Sequence, residues 1–152
     1  MIDHKKQGKK NRQSGQRFEL KVRKDLESKG WIVDKWSNNV EIVKSIQRNF
    51  DVLIQDAKIV PAKHKYRGPG IPMVMGTGFP DFIAFQHPDY PDYVNNLQEV
   101  IGVESKSNGF LTKEEKEKCK WYLENNIFSK ILIASKGKKR GEIVYKEFKN
   151  EN

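Results

Sequence analysis

Two apolar runs with charged groups at one end constrain this 152-residue chain more than any other feature. The first is Gly78-Phe79-Pro80-Asp81-Phe82-Ile83-Ala84-Phe85, and the second is Val100-Ile101-Gly102-Val103-Glu104-Ser105-Lys106. Each has the length and apolar content of a strand, one opening on a carboxylate and the other closing on Glu-x-Lys. Side chains alternate along a strand with period two, so Glu104 and Lys106 share a face and Ser105 takes the other. If the strands pair, Asp81 comes beside Glu104, with Lys106 just beyond. Two carboxylates with an amine form an oxygen-rich site for Mg2+ or Mn2+. Such a site suits metal-assisted phosphodiester hydrolysis.

The segments around the two runs set the architecture. Phe18, Val22 and Leu26 recur at helical spacing, predicting a helix from about Gly15 to Lys29, with Gly30 as its stop. Trp31–Trp36 reads as a strand. Asp81–Gln86 and Glu99–Lys106 read as paired strands, most simply a hairpin, joined by the turn-rich excursion His87–Gln98. In that excursion His87, Asp89 and Asp92 read as a solvated turn rather than a second metal site. Thr112 opens a helix to about Asn126. Lys130–Ala134 reads as a strand buried on both faces. The basic turn Lys136–Gly141 leads into a last strand at Glu142–Tyr145. The expected fold is α/β, a mixed central sheet flanked by helices in the order αβββαβ.

Two regions fall outside this frame. Residues 1–14 carry five lysines and arginines and almost nothing apolar, and read as a disordered basic arm. Residues 15–148 then form a single domain with an insert at 37–75. Within the insert, Val43, Ile46, Phe50 and Leu53 suggest a helix, followed by a short strand. Residues 61–80 contain four prolines and four glycines and read as a long loop.

The paired motifs and their surroundings resemble the PD-(D/E)XK nuclease superfamily. Pro80-Asp81 and Glu104-Ser105-Lys106 match its two signature halves. Within it the chain is most similar to archaeal Holliday-junction resolvases and VRR-NUC-type nucleases. The Glu-bearing first helix (Ser14–Glu19), the glycine-rich lead Gly76–Pro80 and the Gly109-Phe110-Leu111-Thr112 helix start carry that likeness. The resemblance spans residues 14–36 and 76–134 and implies a restriction-endonuclease-like core.

It also implies roles. Asp81, Glu104 and the Ser105 backbone carbonyl would ligate Mg2+ or Mn2+, and the Glu19 carboxylate would complete the set. Lys106 would orient the attacking water or stabilise charge building on phosphorus. The implied product carries a 5′-phosphate, and the resolvase-like subgroup works as a homodimer. The residues alone leave other readings open. Glu19 also suits a solvated helix position paired with Arg23 at i+4. Glu115, where VRR-NUC-type enzymes commonly carry Gln, completes a Thr112-x-x-Glu capping box, and that structural reading is preferred.

A formal charge of +9, with 32% of residues charged, points to a polyanionic partner, here DNA. Candidate phosphate contacts are Lys63, Lys65 and Arg67, the turn Lys138, Lys139 and Arg140, and the N-terminal arm. Tyr66 could stack on an unpaired base. Structured DNA, a junction or a flap, is the expected substrate. The competing class is a nucleic-acid-binding protein with this fold and no cleavage. An interaction protein would need an exposed apolar patch, and the polar sequence offers none. The lone Cys119 excludes an internal disulfide and reads as a packed thiol. No apolar run approaches the roughly 20 residues that cross a bilayer. The chain is therefore expected to be cytoplasmic.

Overall fold

The computed structural model describes residues 4–47, 52–65, 69, 74–75, 78–86 and 99–149, with side chains left aside at 4–5, 43–47, 52–56, 64–65 and 74–75. In chain order the elements are helix α1 (His4–Ser28), strands β1 (Ile32–Lys35), β2 (Asn38–Gln47), β3 (Val52–Pro61), β4 (His64–Lys65), β5 (Val74–Met75), β6 (Phe82–Gln86) and β7 (Glu99–Ser105), helix α2 (Lys113–Glu124), and strands β8 (Lys130–Lys136) and β9 (Ile143–Glu147). The chain divides into two compact units, residues 1–35 with 80–152, and residues 36–79. The segment set apart as an insert, 37–75, falls within the second unit.

The first unit is α/β. Its sheet runs β1-β6-β7-β8-β9 and is mixed, with β7 and β8 parallel and the other neighbours antiparallel. On one face Phe18, Val22 and Leu26 of α1 pack with Val33, Phe82, Ala84, Ile101, Val103 and Ala134. The α1 stripe follows from the i, i+4, i+8 spacing, and the strand residues follow from period-two alternation. The Tyr145 hydroxyl donates to Asp25 Oδ2 at 2.7 Å, tying β9 to α1.

Alternation turns Gly102 and Glu104 to the opposite face. There Gly102 faces Pro80, Phe128 and Ile131, and the Tyr122 ring of α2 lies 5.1 Å from that of Phe128. Gly102 makes room for this packing. A Cβ there would fall 2.8 Å from Pro80 Cγ, in the residue directly before Asp81. Buried Cys119 lies on α2, and burial pushes its thiol up to about 12, so it is the packed thiol expected from sequence.

Two local expectations change. Helix α1 begins at His4, so most of the segment expected to be a disordered arm is helical, and residues 6–17 are exposed. Lys, Gln and Arg are good helix formers, and lengthening an existing helix avoids the cost of a new nucleus. The second change is in the other unit. Instead of a helix and a strand, residues 38–61 give β2 and β3, paired antiparallel from Asn38↔Pro61 to Gln47↔Val52. The helical spacing of Val43 and Ile46 loses to β-branched content, since Val40, Ile42, Val43, Ile46, Ile54, Ile59 and Val60 all favour strands.

Residues 61–80, expected as loop, contain the short antiparallel pair β4–β5. Gly78 lies against the start of the hairpin. A Cβ there would meet the Trp36 carbonyl oxygen at 2.1 Å, so only glycine fits. Phe79 N donates to Asn38 O at 2.9 Å in the same place. The excursion His87–Gln98 lies outside the described residues.

Candidate active site

The expected strand pairing is present. Phe82 pairs with Val103 across β6 and β7, which brings Asp81 opposite Glu104. The two acids are fastened reciprocally through backbone amides. Asp81 N–H donates to Glu104 Oε2 at 3.0 Å, and Ser105 N–H donates to Asp81 Oδ2 at 2.9 Å. Each carboxylate thus uses one oxygen to hold the neighbouring strand. Asp81 Oδ1 accepts no hydrogen bond among the described residues. Both acids are buried.

Burial sets their protonation. Glu104 is pushed up to about 8, first by desolvation and then by the Asp81 charge. Asp81 is raised to about 6 by desolvation and the Glu19 charge, against the lowering pull of the Ser105 N–H, Lys35 and Lys106. Like charges placed together out of water make full ionisation costly. With no cation between them, the pair keeps a proton near neutral pH.

Lys106 is fixed from two sides. Its Nζ lies 3.2 Å from Glu104 Oε1 and 2.5 Å from Glu115 Oε1. Desolvation is the largest influence on this amine and lowers its pKa. The bonds to Glu115 and Glu104 outweigh it, so the net shift is upward and Lys106 stays cationic. A protonated amine donates hydrogen bonds and stabilises negative charge, which is compatible with either role expected from sequence.

Glu115 reaches further than the capping role preferred from sequence. Its Oε2 accepts from Thr112 N–H at 2.8 Å and its backbone N–H donates to Thr112 Oγ1, so the capping box is present. Its other oxygen holds Lys106. Burial raises its pKa, but Lys106 and Thr112 outweigh burial and hold the carboxyl below the usual range. One residue therefore fixes both the helix start and Lys106. The sequence signal was there in the two oxygens of an N3 glutamate, of which a capping box needs only one.

Glu19 does not pair with Arg23, the side-chain partner considered from sequence. Arg23 instead binds Glu27 at 2.8 Å and the Val33 carbonyl at 3.1 Å. Glu19 Oε2 accepts from Lys35 Nζ at 3.3 Å. Lys35 pairs in register with Phe82, next to Asp81, and both Glu19 and Lys35 act on the Asp81 charge. Glu19 is therefore beside the acid pair, with Lys35 as a second cation that sequence reasoning missed. Lys35 carries no motif, and only the β1–β6 register reveals it.

The donor set suits a hard divalent cation, with a free Asp81 oxygen, a buried Glu104 and backbone carbonyls at a strand end. No cluster of three or more His, Cys, Asp or Glu side chains placed to hold a metal forms among the described residues. Ser105, whose carbonyl is the implied third ligand, has a buried Oγ with no hydrogen-bond partner.

The candidate phosphate contacts divide. Lys138, Lys139 and Arg140 are exposed in the β8–β9 turn and make no ion pair among the described residues. Lys63, in the second unit, is bound to Glu41 at 2.8 Å. Lys65 lies in β4 with its side chain undescribed, and Tyr66 and Arg67 lie outside the described residues. No helix is long and apolar enough to cross a membrane among the described residues. No protein-family model, curated protein or solved structure matches the chain.

Proposed function

We propose that this chain is a metal-dependent endonuclease that hydrolyses phosphodiester bonds in DNA. The observation that carries the reading is the buried Asp81–Glu104 pair at neighbouring strand ends, with a cationic Lys106 bonded to Glu104. A pair of buried acids that must hold a proton when alone is costly to keep. A divalent cation removes that cost, and a phosphate brings negative charge to Lys106.

Asp81 and Glu104 would hold Mg2+ or Mn2+, with the Ser105 carbonyl as a third ligand and Glu19 acting on the set from α1. When bound, the metal supplies Lewis-acid polarisation of the phosphate and activation of a water. The residues of the chain supply the rest. A proton on Glu104 would have to pass to water for a cation to bind there, so binding would tighten as pH rises. Lys106 donates to a non-bridging phosphate oxygen and offsets the charge growing there. Glu115 keeps its Nζ from swinging into solvent, which saves the entropy of ordering a four-carbon stem at the reaction step. Lys35 holds Glu19 and moderates the negative potential around Asp81. The restriction-endonuclease-like likeness of the core belongs to this same proposal.

The test is cleavage of supercoiled plasmid and of a four-way junction by purified protein, with magnesium, with manganese and with EDTA. Metal-dependent nicking that disappears in Asp81→Ala supports the reading. Undiminished cleavage in EDTA, or an active Asp81→Ala, would overturn it.

A further inference from the structure

The loop between β7 and α2 leaves Lys106 and presents an aromatic ring to water. Phe110 is 78% exposed, the most exposed large hydrophobic residue among those described. Its backbone is held firmly. Gly109 N–H donates to Lys106 O at 2.8 Å, and Phe110 N–H donates to Asn108 Oδ1 at 3.2 Å. Gly109 has φ +75, and a Cβ on it would stand 3.3 Å from Ser135 Cβ. Two residues on, Thr112 begins the helix that carries Glu115. The backbone that carries the ring is therefore held between Lys106 and the start of α2.

The same loop abuts a row of cations. Lys136 N–H donates to Ser107 O at 3.4 Å, joining the loop to the end of β8. From there Lys136, Lys138, Lys139 and Arg140, with Lys21 of α1, line one recess beside Phe18. The turn is shaped by Gly137 N–H to Glu142 O at 2.9 Å and Lys139 N–H to Glu142 Oε2 at 3.0 Å. An exposed aromatic ring on a loop whose backbone meets the start of a basic turn offers the two needs of a single strand, a face for the base and charge for its phosphates.

We propose that Phe110 stacks on an unpaired base of a DNA strand whose phosphates lie along the Lys136–Arg140 turn, so that the site prefers single-stranded or branched DNA to continuous duplex. The location of the scissile phosphate rests on the nuclease reading above. The stacking itself rests on Phe110 and the cation row. A paired base keeps both faces covered by its neighbours, whereas an unpaired one has a face to give, and the ring discriminates on that basis.

The experiment measures affinity of the full chain, in EDTA so that strands stay intact, for a short single-stranded oligonucleotide, a flap and the matching duplex. Wild type, Phe110→Ala and Phe110→Tyr are compared. Phe110→Ala should weaken single-strand and flap binding by about 5- to 150-fold, the span a stacked base contributes, with a smaller loss on duplex. Phe110→Tyr should keep the preference. Photocrosslinking of a single 5-iododeoxyuridine in the unpaired segment should map to Phe110. Phe110→Ala binding single strands as tightly as wild type would overturn the inference, as would a crosslink mapping elsewhere. If the crosslink maps to Phe110 but no metal cleaves DNA, the inference stands and the nuclease reading falls. Magnesium-dependent cleavage with an unaltered Phe110→Ala leaves the nuclease reading and removes the inference.

Discussion

The two units each contain a lysine bonded to a glutamate, and the two arrangements behave oppositely. In the second unit Lys63 and Glu41 meet at 2.8 Å with side chains 79% and 39% exposed. In the first, Lys106 meets Glu104 at 3.2 Å with side chains 27% and 6% exposed. The Lys63 hydrogen bond draws the Glu41 carboxyl below its ordinary range. Burial pushes the Glu104 carboxyl up despite its lysine. Water screens the exposed pair, and it contributes little. Removing water from the other pair makes every charge there strongly dependent on its neighbours. Proximity of opposite charges is common to both, and desolvation beside a second acid is what gives chemical potential to one.

The largest expected effect tests that contrast directly. Asp81→Ala and Glu104→Ala should each lower magnesium-dependent cleavage by about 10³-fold or more, the loss of several kcal/mol of metal-supplied stabilisation. Circular dichroism should show the fold retained. Glu41→Ala should leave the rate within about twofold, as expected of a screened surface pair. Equal losses in both units would erase the distinction. The lysines should follow, with Lys106→Ala costing about 10²- to 10³-fold in turnover, the effect of one preorganised donor. Glu19→Gln should reduce metal affinity or rate by about 10- to 100-fold, like other groups that orient a metal set. Unchanged metal titration would return Glu19 to a structural link with Lys35.

The acid pair also predicts how stability depends on pH. Asp81 and Glu104 are raised in the folded protein, so the fold binds more protons than the unfolded chain between their ordinary and shifted values. Their contribution is fully present below about pH 4 and is lost as pH rises through about 6 and about 8. Thermal melts without metal should show the stability from this pair falling as pH rises from about 4 to above about 8. Glu104→Gln should flatten that fall, and added magnesium should reverse it. Stability that rises over the same interval in metal-free wild type but not in Glu104→Gln would contradict the buried pair.

The smallest effect concerns the exposed turns of α1. Deleting residues 2–12 should weaken binding to all DNA sequences alike and lower the log–log salt slope by roughly 0.9 per lost phosphate contact. An unchanged slope would class those cations with Lys63, as solvated charge.

The first unit was largely legible because its determinants are local and periodic. Phe18, Val22 and Leu26 mark one face of α1, and Thr112 with Glu115 mark the start of α2. The runs before Gln86 and Lys106 fixed β6 and β7, and with them the meeting of Asp81 and Glu104. The second unit was misread at 38–60 because helical spacing and β-branched content disagreed there. Pairing along ten registered positions settled it for the hairpin. The insert at 37–75 stood apart in the sequence, close to the bounds of the second unit at 36–79.

By itself, the sequence determined the strand-end acids, the face they share with Lys106 and the helix that follows, since these depend on residue type and period. Only the tertiary structure decided that Glu115 reaches Lys106, that Lys35 rather than Arg23 holds Glu19, and that Phe110 stands in water. Those outcomes depend on strand register and on which groups lose their water, and both are properties of the packed chain rather than of any segment.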